Sequence, residues 1–117
     1  PVTEKFDQSD GAIVSLGSCD GAVRETRDLL AEKGIRLDYM RIRAFPFGEL
    51  VRDFLNSYEI IFVVEQNRDG QLRSLLLTEI DVNGDKLVPI LCYGGQSISA
   101  EDIIYSIAER IREGKSA

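Results

Sequence analysis

A three-layer α/β/α domain with a mostly parallel sheet is the fold class this sequence predicts, and three observations predict it. Apolar runs of strand length, AIVSL at 12–16, IIFVV at 60–64 and LVPIL at 87–91, are nearly continuous, as in strands buried on both faces. Polar, glycine-bearing turns follow them, and beyond each turn apolar residues fall three and four apart, the face of a helix. Four strands alternating with four helices then call for parallel strands joined by right-handed crossovers.

Taken in order, the first ten residues are polar apart from Val2 and Phe6 and form at most a short edge strand. The AIVSL run ends at Gly17-Ser18-Cys19-Asp20-Gly21, where Asp20 suits an N-cap because its carboxylate accepts from free amides at the positive end of a helix. Val23, Thr26, Leu29 and Leu30 share one face of that helix, and Gly34 is its left-handed stop. Residues 35–42 alternate in part through Leu37, Tyr39 and Ile42 and lead through Pro46 to a segment with Leu50, Val51, Phe54 and Leu55 at helical spacing, up to Ser57. The run at 60–64 stops at Glu65. After the turn QNRDG, Leu72, Leu75, Leu76 and Ile80 mark a helix expected to end near Asn83-Gly84. The last strand passes through Cys92-Tyr93-Gly94-Gly95 to Ser99, which with Asp102 approximates a capping box ahead of Ile103, Ile104, Ile107, Ala108 and Ile111.

The totals narrow the function. At 117 residues the chain is one domain, able to bury roughly two thirds of its unfolded surface. Its 14 basic and 20 acidic residues give a net charge of -6 with no basic stripe, which argues against nucleic acid as a partner. No apolar run approaches the roughly 20 residues that span a bilayer and no N-terminal signal is present, so no membrane partner and a cytoplasmic location are expected. Cys19 and Cys92 lie far apart without a CxxC pair and read as reduced thiols. Histidine is absent, which removes the commonest general base and metal ligand and argues against self-contained catalysis here. The sequence begins at Pro1 and reads as a piece of something longer.

Candidate site residues cluster after two strands. In open α/β sheets ligands sit at the carboxyl ends of the strands, which directs attention to Glu65, Asn67, Gly70 and Gln71. If the strand at 12–16 is central, with the second strand on one side and the third on the other, Ser18, Asp20 and Gly21 face Glu65, Asn67 and Gln71 across one crevice. A phosphate site in GSCDG is a weak reading, since its glycines match no phosphate loop, no Lys follows and Asp20 repels an anion; helix capping is the plainer one. Cys19 lies where a helix dipole favours a thiolate, yet with no histidine or neighbouring lysine it reads as a small filler. Glu65, a carboxylate closing a buried strand, must find partners. It would serve as an acid or base, or, as we favour, brace its loops by accepting backbone hydrogen bonds. Arg41 and Arg43 are placed to pair with it or with a partner's carboxylate. Phe45, Phe47, Phe54 and Tyr58 read as core, although an exposed Phe47 beside Pro46 would anchor a subunit interface.

Four stretches, GSCDGAVRE (17–25), RIRAFPF (41–47), VVEQNRDGQL (63–72) and YGGQSISAEDI (93–103), resemble successive signatures of one family. It is the C-terminal, transketolase-C-like domain of the alpha subunit of 2-oxoacid:ferredoxin oxidoreductases, and the likeness runs from Asp10 to Ile111. That resemblance implies a five-stranded mixed sheet whose short N-terminal strand, near residues 3–6, lies antiparallel at the edge. It implies an enzyme that oxidatively decarboxylates a 2-oxoacid with coenzyme A, giving acyl-CoA and carbon dioxide and passing electrons to ferredoxin. Thiamine diphosphate, magnesium and iron–sulfur clusters are implied for the whole enzyme and none for this domain. Its implied partners are the remaining alpha-subunit domains and a beta subunit. On this reading residues 1–117 are a single non-catalytic domain cut from a longer alpha subunit. The alternatives are a free-standing small-ligand-binding regulatory module and the same domain of another thiamine-dependent enzyme.

Overall fold

Strands too apolar to face water on either side must be covered twice, and the chain does this with helices on both faces of one sheet. The structure is a computed structural model and describes residues 2–16, 20–42, 48–65, 71–80, 82–91 and 100–116. Strand β1 spans Val2–Glu4, β2 Gly11–Leu16, β3 Leu37–Ile42, β4 Ile61–Glu65 and β5 Leu87–Leu91. Helix α1 spans Asp20–Glu32, α2 Glu49–Asn56, α3 Gln71–Glu79 and α4 Ala100–Ser116, with a 3-10 turn at Gly84–Lys86.

The sheet runs in the order β1-β3-β2-β4-β5. Strands β2, β3, β4 and β5 pair in parallel, and β1 is antiparallel to β3 at the edge, as the family resemblance implies. Strand β2 is central. Alternate residues of each strand point to opposite faces, so two cores result. One joins Ala12, Val14, Ile61 and Val63 to Val51, Phe54 and Leu55 of α2 and Leu72 and Leu76 of α3. The other joins Ile13, Phe62 and Val64 to Val23 and Leu30 of α1 and Ile103, Ile107 and Ile111 of α4. Three layers follow.

Helix α1 ends as its sequence predicts. Gly34 has φ of 87°, the Ile35 amide donates to the Leu30 carbonyl at 2.9 Å and the Gly34 amide to Ala31 at 3.1 Å, which is the Schellman arrangement. Three expectations change. Asp20 is the first helical residue of α1 instead of its cap. Leu50 is 66% exposed, because it lies about 90° round α2 from the centre of the buried face. Helix α3 stops at Glu79, well before Asn83, whose side chain accepts from the Asp85 amide and caps a separate 3-10 turn. Ser99 and its capping box lie outside the described residues.

At the amino edge of the sheet, buried Asp38 spends one carboxylate oxygen on the Phe6 amide at 2.8 Å and the other on the Tyr58 hydroxyl. The Tyr58 ring packs on Phe54 with centroids 4.8 Å apart, so these two aromatics do belong to the core. Phe45 and Phe47 lie outside the described residues. Burial, then the hydrogen bond to Asp38 and its negative charge, push the Tyr58 phenol pKa up. The folded chain therefore keeps a proton that the unfolded chain releases near pH 10. This stabilisation is full below about pH 10 and is lost as pH rises above it. Tyr58→Phe should cost about 1.5–3 kcal/mol in urea unfolding at pH 7. It should also flatten the loss of stability above about pH 10; an unchanged alkaline slope would show that folding does not raise the Tyr58 pKa.

Candidate functional site

Because β2 lies between β3 and β4, the chain leaves β2 toward α1 on one face and leaves β4 toward α3 on the other. The register pairs Ser15 with Val64, which sets Leu16 and Glu65 at one level of the carboxyl edge. Both following helices begin there, α1 at Asp20 and α3 at Gln71. This is the switch point that the sequence anticipates.

Glu65 is the group at that point whose role the geometry resolves. It closes a strand in which all five residues are buried and is itself only 3% exposed. In the strand alternation it falls with Ile61 and Val63, on the α2/α3 face. Its Oε1 accepts from the Leu72 amide at 2.9 Å and its Oε2 from the Arg73 amide at 3.3 Å. Those are second- and third-position amides of α3, which have no partner within the helix. A carboxylate supplied by the preceding strand thus caps the helix and sits at the positive end of its dipole. The bracing role favoured from sequence is the one found. Both oxygens are committed to backbone, which leaves Glu65 poorly placed to take a proton from a substrate. An external phosphate would also have to displace it from α3.

Arg73 extends the same knot. While its amide meets Glu65, its Nε donates to the Leu87 carbonyl at 2.8 Å and its Nη2 to the Gly84 carbonyl at 2.9 Å, tying α3 to the entry of β5. Pairing of Arg41 with Glu65 is not what the sheet allows. Arg41 has the parity of Leu37 and Tyr39, toward α1 and α4, the face opposite Glu65.

The other sequence candidates divide plainly. Asp20 and Gln71 open the two helices that flank the switch point. Gly21 is exposed in the first turn of α1, and a Cβ there would meet no described atom within 4 Å. Ser18, Arg43, Phe47, Asn67 and Gly70 lie outside the described residues. Sequence reasoning missed Arg27 and Arg73 as structural ties. Arg27 gave a readable signal, since it stands between Val23 and Leu30 at spacings of four and three, a charge on the apolar face of α1.

Glu65→Ala should lower unfolding stability by about 2–4 kcal/mol by orphaning two buried amides, and Glu65→Gln, which keeps one acceptor, by roughly half of that. Urea denaturation checks this, and a change within about 0.5 kcal/mol for the alanine variant would remove the bracing role.

Comparison with known proteins agrees with this architecture. A family model described as pyruvate:ferredoxin oxidoreductase core domain II matches residues 9–103. Over 79 residues the chain is 34% identical to subunit alpha of 2-oxoacid:ferredoxin oxidoreductase 2 from Aeropyrum pernix, covering 66% of this chain and 12% of that one. Over 111 residues it is 29% identical to the ketoisovalerate oxidoreductase subunit VorA of Pyrococcus furiosus, covering 86% and 28%. Among solved structures it is similar to the 2-oxoglutarate:ferredoxin oxidoreductase from Magnetococcus marinus, determined with 2-oxoglutarate, coenzyme A and succinyl-CoA bound. The TM-score is 0.83 at 26% identity, over 94% of this chain and 19% of that one. The chain spans less than a third of the length of either curated relative. A match over most of the chain, joined to the five-stranded mixed sheet, shows that it belongs to the pyruvate:ferredoxin oxidoreductase core domain II family.

Proposed function

We propose that this chain serves as core domain II of the alpha subunit of a 2-oxoacid:ferredoxin oxidoreductase, and that its own task there is assembly instead of chemistry. The full reaction joins a 2-oxoacid and coenzyme A to give acyl-CoA and carbon dioxide, while two electrons pass to ferredoxin. The names of the relatives support that class without fixing the acid, since they include ketoisovalerate and 2-oxoglutarate enzymes.

The observation that carries the division of labour is the filled terminus of α3. Thiamine diphosphate, with magnesium, would stabilise the carbanion left by decarboxylation, and iron–sulfur clusters would carry the electrons. On the α3 side of the switch point the described residues do not fit a diphosphate, because the amides that would receive it already hold Glu65. We therefore assign those cofactors to other parts of the enzyme. The same occupancy weighs against a free-standing module that binds an anionic effector in this crevice. No helix among the described residues is long and apolar enough to cross a membrane. With two distant cysteines read as reduced thiols, this supports a cytoplasmic enzyme.

In this role the domain packs beside the thiamine-binding domains and helps the alpha and beta subunits associate. Deleting this segment from the alpha subunit should abolish copurification with the beta subunit. Full assembly and unchanged turnover after the deletion would contradict the proposal.

A further inference from the structure

The sheet ends at β5, whose outer side pairs with no strand among the described residues. An open edge is a template for a further strand, from another molecule or another domain, unless its backbone groups are withheld. Which groups face outward follows from the ladder, because in parallel strands the amide and carbonyl of one residue turn to one side and those of the next to the other. The Ile60 carbonyl accepts from the Ala12 amide of β2 at 3.1 Å. Phe62 and Val64 therefore also turn toward β2, and Ile61, Val63 and Glu65 turn toward β5. Val63 stands opposite Pro89, so its groups meet Val88 and Ile90 on either side of the proline, and Leu87, Pro89 and Leu91 turn outward. That is the side of β5 on which a proline removes no ladder bond.

Two of the outward positions are withheld. Pro89, exposed at the centre of β5, has no amide hydrogen to offer. The Leu87 carbonyl is taken by Arg73 Nε at 2.8 Å, and Nη2 of the same guanidinium holds the Gly84 carbonyl, just before the strand, at 2.9 Å. The arginine thus stands where the donor of an added strand would stand. A strand laid along Leu87–Leu91 would find its first acceptor occupied and its central donor missing.

We infer that Pro89 and Arg73 together close the β5 edge to strand addition, so that whatever packs along β5 does so through side chains and does not extend the sheet. The closure is a device of the fold and is independent of any enzymatic role. In a pure solution the strand on offer is the same edge of another molecule, which makes self-association of an opened variant the readout.

Sedimentation velocity and amide hydrogen exchange by NMR on the full chain test this. In the unsubstituted chain the Val88 and Ile90 amides should exchange about tenfold or more slowly than that of Leu91, whatever the protein concentration. Pro89→Val, which restores an outward amide, should self-associate as concentration rises and slow exchange at positions 89 and 91 by about tenfold or more. Adding Arg73→Met, which frees the Leu87 carbonyl, should strengthen both effects; if the double variant fails to fold, Pro89→Val decides. A Pro89→Val chain that stays monomeric, or that associates with no added protection at 89 and 91, would overturn the closure. If neither variant folds, the unsubstituted chain decides, since a Leu91 amide as protected as that of Ile90 would show the outer side of β5 already paired.

Discussion

Burial of β2 on both faces is the constraint from which the remaining architecture follows. Ala12, Ile13, Val14 and Ser15 have no exposed surface. Their backbone groups must find partners on both sides and their side chains must be covered from both faces. Strands β3 and β4 take the sides, and the two helix pairs take the faces. Gly11 shows how close the fit is, since a Cβ there would lie 2.7 Å from Ile60 Cγ2, so the chain entering β4 leaves no room for a side chain where β2 begins. The buried hydroxyl of Ser15 is answered by Tyr39 at 2.7 Å. Once β2 is central, its loop and that of β4 must leave from neighbouring strands toward opposite faces, and the switch point is set.

At both ends of the sheet, buried charge is spent on joining elements. Glu65 ties β4 to α3 at the carboxyl edge, and Asp38 ties β3 to Phe6 and to Tyr58 at the amino edge. Arg73 and Arg27 do the same with carbonyls, each reaching backbone just beyond the end of its own helix. A buried charged group without such partners would destabilise the fold by several kcal/mol. Their partners being mostly backbone, these groups are parts of the frame, which accords with a domain whose contribution is shape.

Much of this was legible in the sequence, for a physical reason. Continuous apolar runs such as IFVVE and three-four spacing such as Ile103, Ile107 and Ile111 report burial directly, so strands and helices followed, while the central place of β2 was a supposition that the strand order bears out. What stayed hidden depends on partners distant in the chain. Strand β1 was legible as a short edge strand, but the contacts of Arg24 and Arg27, some twenty residues away, with Glu4 were not. The end of α3 was misjudged because Asn83 was read as a helix stop, whereas its side chain caps a separate 3-10 turn beyond the end of α3 at Glu79. Leu50 looked like core because spacing counts residues and ignores the flank of the face. Glu65 was found as a conspicuous charge after an apolar run, but only the folded positions of the Leu72 and Arg73 amides reveal what it does.

The central claim is that the switch-point carboxylate serves the frame and not the reaction. Steady-state kinetics of the assembled oxidoreductase carrying Glu65→Gln tests it most directly. If the carboxylate serves the frame, the variant should give a lower yield of assembled enzyme, with kcat per assembled complex and KM for the 2-oxoacid and coenzyme A unchanged. Normal assembly with kcat reduced by about a hundredfold, the loss expected of a general acid or base, would contradict it.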